Sequence, residues 1–343
     1  DVDAEDRLAA ATALHYAAAN GHDSVVQLLL NAGAAVNHPD RNQCTPLMKA
    51  AIRGHVNTVR MLLAQNADPL LVDRDEVSAF LYASLAGHMP VVIVLNENGG
   101  HTDAPSQTGD SPLWAALLHG NKELASTILS KSSSSTSTSS SASASGKLID
   151  APLGAHKVTM LQRVILHSQL LNRTGDESEA ENCLNALSFL LSKGATVDVR
   201  SGDGKTALFY AAVKGFGEVV RALLKAGANA NLVDSNGNSA LHFAKSRSVA
   251  ELLIAAAHPS LLTASNSTGN TPLHAAFAFE RPELIDLLIA SNPASLQITN
   301  SNQNLPEECA FAAEKRIMLP FYPEDESSVS GGLYIGRVSI ARQ

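Results

Sequence analysis

The residues best equipped for chemistry in this chain are a Gly204-Lys205-Thr206 run, twelve histidines and three cysteines. The run has the ending of a phosphate-cradling loop, G-x-x-x-x-G-K-T, in which backbone amides and the lysine hold the phosphates. Its opening glycine would have to stand where Val199 stands, so the run reads as a turn glycine followed by a helix-capping threonine. Neither H-E-x-x-H nor G-x-S-x-G occurs, which removes the usual helical zinc site and the usual nucleophile turn. The histidines recur in register instead. His15, His242 and His274 each stand three residues after a Thr or Ser, and His22, His55 and His88 each follow a glycine. Imidazoles spaced this way serve as bonding partners for backbone or a capping hydroxyl, and they do not converge as metal ligands. Cys44, Cys183 and Cys309 are far apart and lack C-x-x-C spacing, which fits a reducing compartment. No nucleophile, base and oxyanion donor come together, so the expectation is a segment without catalysis, metal or cofactor.

The elements that carry these residues repeat. Thr12-Ala13-Leu14-His15 is followed by Thr45-Pro46-Leu47-Met48, Ser78-Ala79-Phe80-Leu81 and Ser111-Pro112-Leu113-Trp114, each step being 33 residues. The pattern resumes at Thr206-Ala207-Leu208-Phe209, Ser239-Ala240-Leu241-His242 and Thr271-Pro272-Leu273-His274, with steps of 33 and 32. Within one period, Thr45 caps a helix whose first residue is Pro46, a position where a missing N–H costs nothing. Ala50-Ala51 admits a close neighbour, and Gly54-His55 ends the helix. Val56, Val59, Met61, Leu62 and Leu63 then form the apolar stripe of a second helix. Helix, tight turn, helix and hairpin-like loop make the unit, and a fixed period of this length means stacked units that present surface.

These elements closely resemble the ankyrin repeat. The family's T-P-L-H, A-A-x-x-G-H and L-L-x-x-G-A-x-x-N elements appear in order, from Thr12 through Gly21-His22 to Asn37 and again from Gly204 to Asn231. The resemblance spans about residues 8–316 and implies an all-α solenoid of about nine helix–turn–helix units. Repeats 1–4 fall in 8–130 and repeats 5–9 in 147–316. Residues 131–146, almost pure Ser, Thr and Ala, form a flexible loop. Repeat 5, opened by Thr159-Met160-Leu161-Gln162, is stretched by an acidic insertion at 172–181. Repeat 9, around Leu305-Pro306-Glu307-Glu308, carries acids suited to a terminal cap, and 317–343 is a tail in which Leu333 to Ile340 could pair as a strand.

The resemblance also implies where a partner lies: on the concave side, built from loop tips and the exposed face of each first helix. Carried across, those slots hold Arg41, Lys49, Arg53, Arg74, Lys205, Lys214 and Arg247, with Tyr82, Tyr210 and Phe243 recurring at one helical position. Basic residues interleaved with aromatics, in a chain of net charge -8, suit an acidic protein segment with a few apolar anchors. Asn37 and Asn231 match the family's asparagines that can be hydroxylated. The expected function is a non-catalytic protein–protein scaffold or adaptor. The alternative is the regulatory or substrate-recruiting array of a larger enzyme such as a ubiquitin ligase, kinase or acyltransferase; a chain beginning at Asp1 rather than Met leaves room for that. The negative charge argues against general nucleic-acid binding. With an acidic start and short apolar runs, the expected location is intracellular, in cytoplasm or nucleus, with no membrane insertion and no small-molecule substrate.

Overall fold

The computed structural model describes residues 2–100, 104–132, 149–154, 156–168 and 179–310. The described residues fall into two compact units, one within 2–132 and the other within 149–310.

The first unit holds four helix pairs: α1 (Ala13–Ala19) and α2 (Asp23–Asn31), α3 (Pro46–Arg53) and α4 (Val56–Ala64), α5 (Ala79–Ala86) and α6 (Met89–Glu97), α7 (Pro112–Leu118) and α8 (Lys122–Ser132). First helices pack in one row, α1 on α3 on α5 on α7, and second helices in another, α2 on α4 on α6. The alanines explain the first row. Ala17, Ala18, Ala50, Ala51, Ala83, Ala115 and Ala116 are all buried, and a side chain that small lets helix backbones approach closely. Each first helix begins at a Thr or Ser with extended backbone, and Ser78 Oγ takes the Leu81 N–H at 3.2 Å. Gly54 and Gly87 end α3 and α5 in left-handed conformation, where a side chain would also run into the histidine ring of the next repeat.

The second unit contains α9 (Met160–Leu166), α10 (Glu179–Ser192), α11 (Ala207–Lys214), α12 (Gly217–Lys225), α13 (Arg247–Ala256), α14 (Pro272–Ala278) and α15 (Pro282–Ser291). Short 3-10 turns lie at Ala240–Phe243, Pro259–Leu262, Pro293–Gln297 and Pro306–Ala310. The fold is all-α, with only isolated two-residue bridges such as Val72 with Ser78 among the described residues. Lys131 and Ser132, expected in the Ser-rich loop, finish α8, and the rest of 131–146 lies outside the described residues. Most of the 172–181 insertion and all of the 317–343 tail lie outside them too.

The seventh repeat departs from the expected pattern. Its first helix is a single 3-10 turn, because the chain leaves helical geometry at Ala244 and Ser246 already caps the next helix by accepting the Val249 N–H at 3.4 Å. Ser239 to Ser246 spans seven residues, where Thr45 to His55 takes ten, so about one helical turn is missing.

Candidate protein-interaction surface

Most loop tips are built by one residue that sequence reading passed over, an Asp, Asn or Ser five positions before the cap (Asp40, Asp73, Ser106, Ser201, Asp234, Asn266 and Asn300). Asp40 Oδ1 accepts the N–H groups of Asn42 at 2.8 Å and Cys44 at 2.9 Å. Asp73, Asp234, Asn266 and Asn300 accept their own +2 and +4 amides at 2.8–3.0 Å. Such a side chain folds the loop on itself and supplies the acceptors its amides lack. The signal was present as a polar residue at the same 33-residue period, hidden because a polar turn was expected there anyway. Adjacent tips are then tied by backbone bonds: Arg41 N–H to Ala9 O, Arg74 N–H to Asn42 O and Gln107 N–H to Asp75 O in the first unit, at 2.7–3.0 Å. In the second unit Gly202 bonds His156, Ser235 bonds Asp203, Ser267 bonds Asn236 and Ser301 bonds Thr268, at 2.8–3.1 Å.

The histidines clamp repeat to repeat. His15 Nδ1 accepts the Thr12 N–H at 3.1 Å, so Nε2 carries the proton and donates to Cys44 O of the next repeat at 3.1 Å. His242 does the same toward Asn270 O, and His274 toward Asn304 O. Burial pushes His242 down to about 4 and lowers His15, which keeps both rings neutral and fixed as Nε2 donors. Gln162 reproduces the geometry with an amide: its Oε1 accepts the Thr159 N–H at 2.9 Å and its Nε2 donates to Lys205 O, the carbonyl before the next cap, at 3.2 Å and also to Val199 O at 2.7 Å. His55, His88 and His119 reach the other way and donate to Ala19, Ile52 and Leu85 carbonyls of the preceding repeat at 2.8–3.2 Å. Asn37 Oδ1 accepts Asp68 N–H and Asn231 Oδ1 accepts His258 N–H, both at 2.9 Å, so these asparagines also join neighbouring loops.

The ten expected surface residues divide sharply. Arg41 and Arg74 are exposed at successive tips and Arg53 is exposed at the end of α3. Among the described residues no carboxylate pairs with any of the three; Arg41 Nη2 donates to the Arg7 carbonyl at 3.3 Å. Lys49 is part-exposed and bound to the buried Asp40 carboxylate at 2.7 Å. Tyr82 is half-buried and donates to Asp73 Oδ2 at 2.5 Å; burial and that carboxylate push its phenol up. Tyr210 is half-buried against Ser201, with its hydroxyl 3.2 Å from the serine Oγ, and burial raises it too. Both tyrosines therefore brace tips.

Lys205 is buried, ion-paired with Asp203 at 2.6 Å and stacked over the Phe209 ring at 5.5 Å. Burial pushes the Asp203 carboxyl up, but the Lys205 ammonium and the Ser201 hydroxyl outweigh it and hold the group below its usual value. Phe243 is buried in a row of rings, 5.1 Å from Phe209 and 6.1 Å from Phe279. Lys214 closes α11, half-buried. Arg247 corrects the expectation: the lost helical turn moves it off the first helix to the start of α13, where it pairs with Glu251 at 2.8 Å. Trp114 is buried in the histidine slot of its repeat. Among the described residues there is no group of three or more His, Cys, Asp or Glu able to hold a metal, and no helix long and apolar enough to cross a membrane.

Tied tips, clamped helix pairs and a row of first helices define a class, the stacked helical-repeat interaction module, and the comparisons give its family. Residues 1–73 and 178–263 match the family model described as ankyrin repeats (3 copies), and 268–301 match that of the ankyrin repeat. The chain belongs to the ankyrin-repeat family, whose repeats are generally protein–protein interaction modules. It is similar to the human ASB11 ankyrin repeat domain at 25% identity and a TM-score of 0.54, over 72% of this chain and 98% of that one. Its fold is also that of the ankyrin repeat domain of Bcl-3, a member of the IκB protein family, at 23% identity and a TM-score of 0.54, over 71% of this chain and 98% of that one.

Proposed function

We propose that the first unit binds an acidic segment of another protein along its tips and first helices, as a scaffold or adaptor with no catalysis of its own. The observation that supports this is the set Arg41, Arg53 and Arg74. Three guanidinium groups stand exposed on adjacent repeats of an acidic chain, without a paired carboxylate among the described residues. A guanidinium meets a carboxylate with two parallel hydrogen bonds, and Arg is among the residues that dominate interface energy. Lys49 adds charge whenever a ligand carboxylate competes with Asp40. In the second unit Lys205, Tyr210 and Phe243 hold the structure instead. Hydroxylation of Asn37 or Asn231 belongs to the same reading, and peptide mass spectrometry for one added oxygen tests it.

The test is fluorescence anisotropy with labelled peptides rich in Asp and Glu and carrying Leu or Phe anchors, against the same peptides with charges inverted. Acidic peptides bind in preference, more weakly as salt rises. Arg41→Glu/Arg53→Glu/Arg74→Glu lowers their affinity by about tenfold per residue, from about 1.5 kcal/mol for each charged hydrogen-bonded contact. Arg221→Glu, at an exposed position of α12 in the second unit beside Glu218, leaves it unchanged. Equal binding by the triple variant, or no preference for acidic peptides, removes the reading.

A further inference from the structure

The first helix pair carries an apolar face that its own neighbours would bury. In α4, Thr58 is fully buried against α2, its hydroxyl donating to Asp23 Oδ1 at 2.6 Å, and Met61 on the same face is part-buried. One period later in α6, Val91 and Val94 are buried at 0% and 1% exposure against α4. One period earlier, the same two positions of α2 are Val25 and Leu28, at 43% and 69% exposure. The first helices repeat the contrast: Ala13 is exposed where Pro46, Ala79 and Pro112 are buried. Helices of a solvent-facing cap would carry polar residues at these positions. These are apolar and in the register of a repeat interface.

A second observation says what belongs there. Residues 2–11 fold as the closing loop and tip that end a repeat. Val2 packs on the core as Val36 does. Asp3 Oδ1 accepts Ala35 N–H at 2.9 Å, as Asn37 Oδ1 accepts Asp68 N–H at 2.9 Å. Asp6 Oδ1 takes the Leu8 amide at 2.8 Å, as Asp40 takes that of Asn42, and Ala9 O receives the tip bond from Arg41 as Asn42 O receives that from Arg74. In later copies among the described residues, such as the loops after α2 and α4, this loop is fed by a second helix that lies against the matching face of the next pair, α2 on α4 and α4 on α6.

We propose that the Val25/Leu28 face of α2 is covered by an ankyrin-type helix pair belonging to the same polypeptide, running directly into Val2 and Asp3. Its second helix presents an apolar stripe to Val25 and Leu28, and its first helix packs small residues against Ala13. The experiment reads the natural coding sequence upstream of Asp1, expresses the chain extended by it, and compares hydrogen exchange with that of residues 1–343. The expected upstream segment carries a capped first helix and a Leu-rich second helix in the 33-residue register. The amides of Val25, Val26 and Leu28 then exchange at least tenfold more slowly in the extended chain, and Leu28→Glu reverses the slowing. The proposal is overturned by an upstream sequence without such a pair, by unchanged exchange in the extended chain, or by slowing that Leu28→Glu leaves intact. It is overturned equally if residues 1–343 dimerise and Leu28→Glu abolishes the dimer, which would make a second copy the occupant.

Discussion

The residue two places before each cap is left-handed throughout, and the consequences have opposite signs at Gly269 and Glu76. The position is glycine at Gly109, Gly204, Gly237 and Gly269 but not at Ala10, Gln43, Glu76, Lys157 and Gln303, whose φ lies between 50° and 65°. For a residue with a Cβ this conformation costs about 1–2 kcal/mol, while glycine costs about 0.5–1 kcal/mol in unfolded-chain entropy. At Gly269, φ is +76° and an added Cβ would sit 2.5 Å from Ser301 N. Gly269→Ala must displace that backbone, and with it the 3.1 Å Ser301–Thr268 bond that joins two tips. The sum is a loss of about 2 kcal/mol, including about 1 kcal/mol for the bond. Glu76→Gly relieves the same conformation for a gain of about 0.5–1 kcal/mol. With a urea slope of about 2 kcal/mol/M, the midpoints move by about -1 M and about +0.3 M. The lone tryptophan, Trp114, reports the first unit by fluorescence, so Glu76→Gly is read there and Gly269→Ala by circular dichroism. An unchanged midpoint for Gly269→Ala, or a lowered one for Glu76→Gly, would show that tip conformation does not set stability.

Removing a clamp leaves both its partners buried: His242→Ala orphans the Ser239 N–H and the Asn270 carbonyl and costs about 2–4 kcal/mol, while His242→Gln restores most of it, as Gln162 shows; chemical denaturation measures both. Because burial holds His242 and His167 near 4 in the folded chain against about 6.5 unfolded, the unfolded state binds more protons between those values. Stability from these groups is therefore complete above about pH 6.5 and is lost as pH falls toward 4, by up to about 1.4 kcal/mol per unit per histidine, and His242→Gln flattens that slope in a pH series of melts. Cys44, whose thiol burial pushes up to about 12, stays unlabelled by a thiol reagent in the native protein at neutral pH and reacts at its free rate in denaturant.

Much of this architecture is legible from residue order. Thr45-Pro46 with Gly54-His55 marks one helix and its stop, and the period places the next. What spacing could not convey was the state of each surface side chain. Lys205 and Arg53 both occupy expected partner slots, yet a carboxylate two residues away holds Lys205, while no carboxylate among the described residues pairs with Arg53. Tyr82 and Tyr210 share the same ambiguity, because a phenol on an inner helix can face a ligand or a turn residue nine positions back. Arg247 went astray for another reason. A helix read at constant length hides a deletion of one turn, although Ser246, a cap arriving early, marks it in the sequence.

The shortened seventh repeat loses most of a helix and keeps its Asp234 tip, its Ser239 cap and its His242 clamp. Alignment of one repeat on the next is thus encoded in the connecting segments, and the outward face of the first helices is spared that duty. Selection can rewrite the exposed positions of such a chain, trading one client for another, while the joints that hold it upright go untouched.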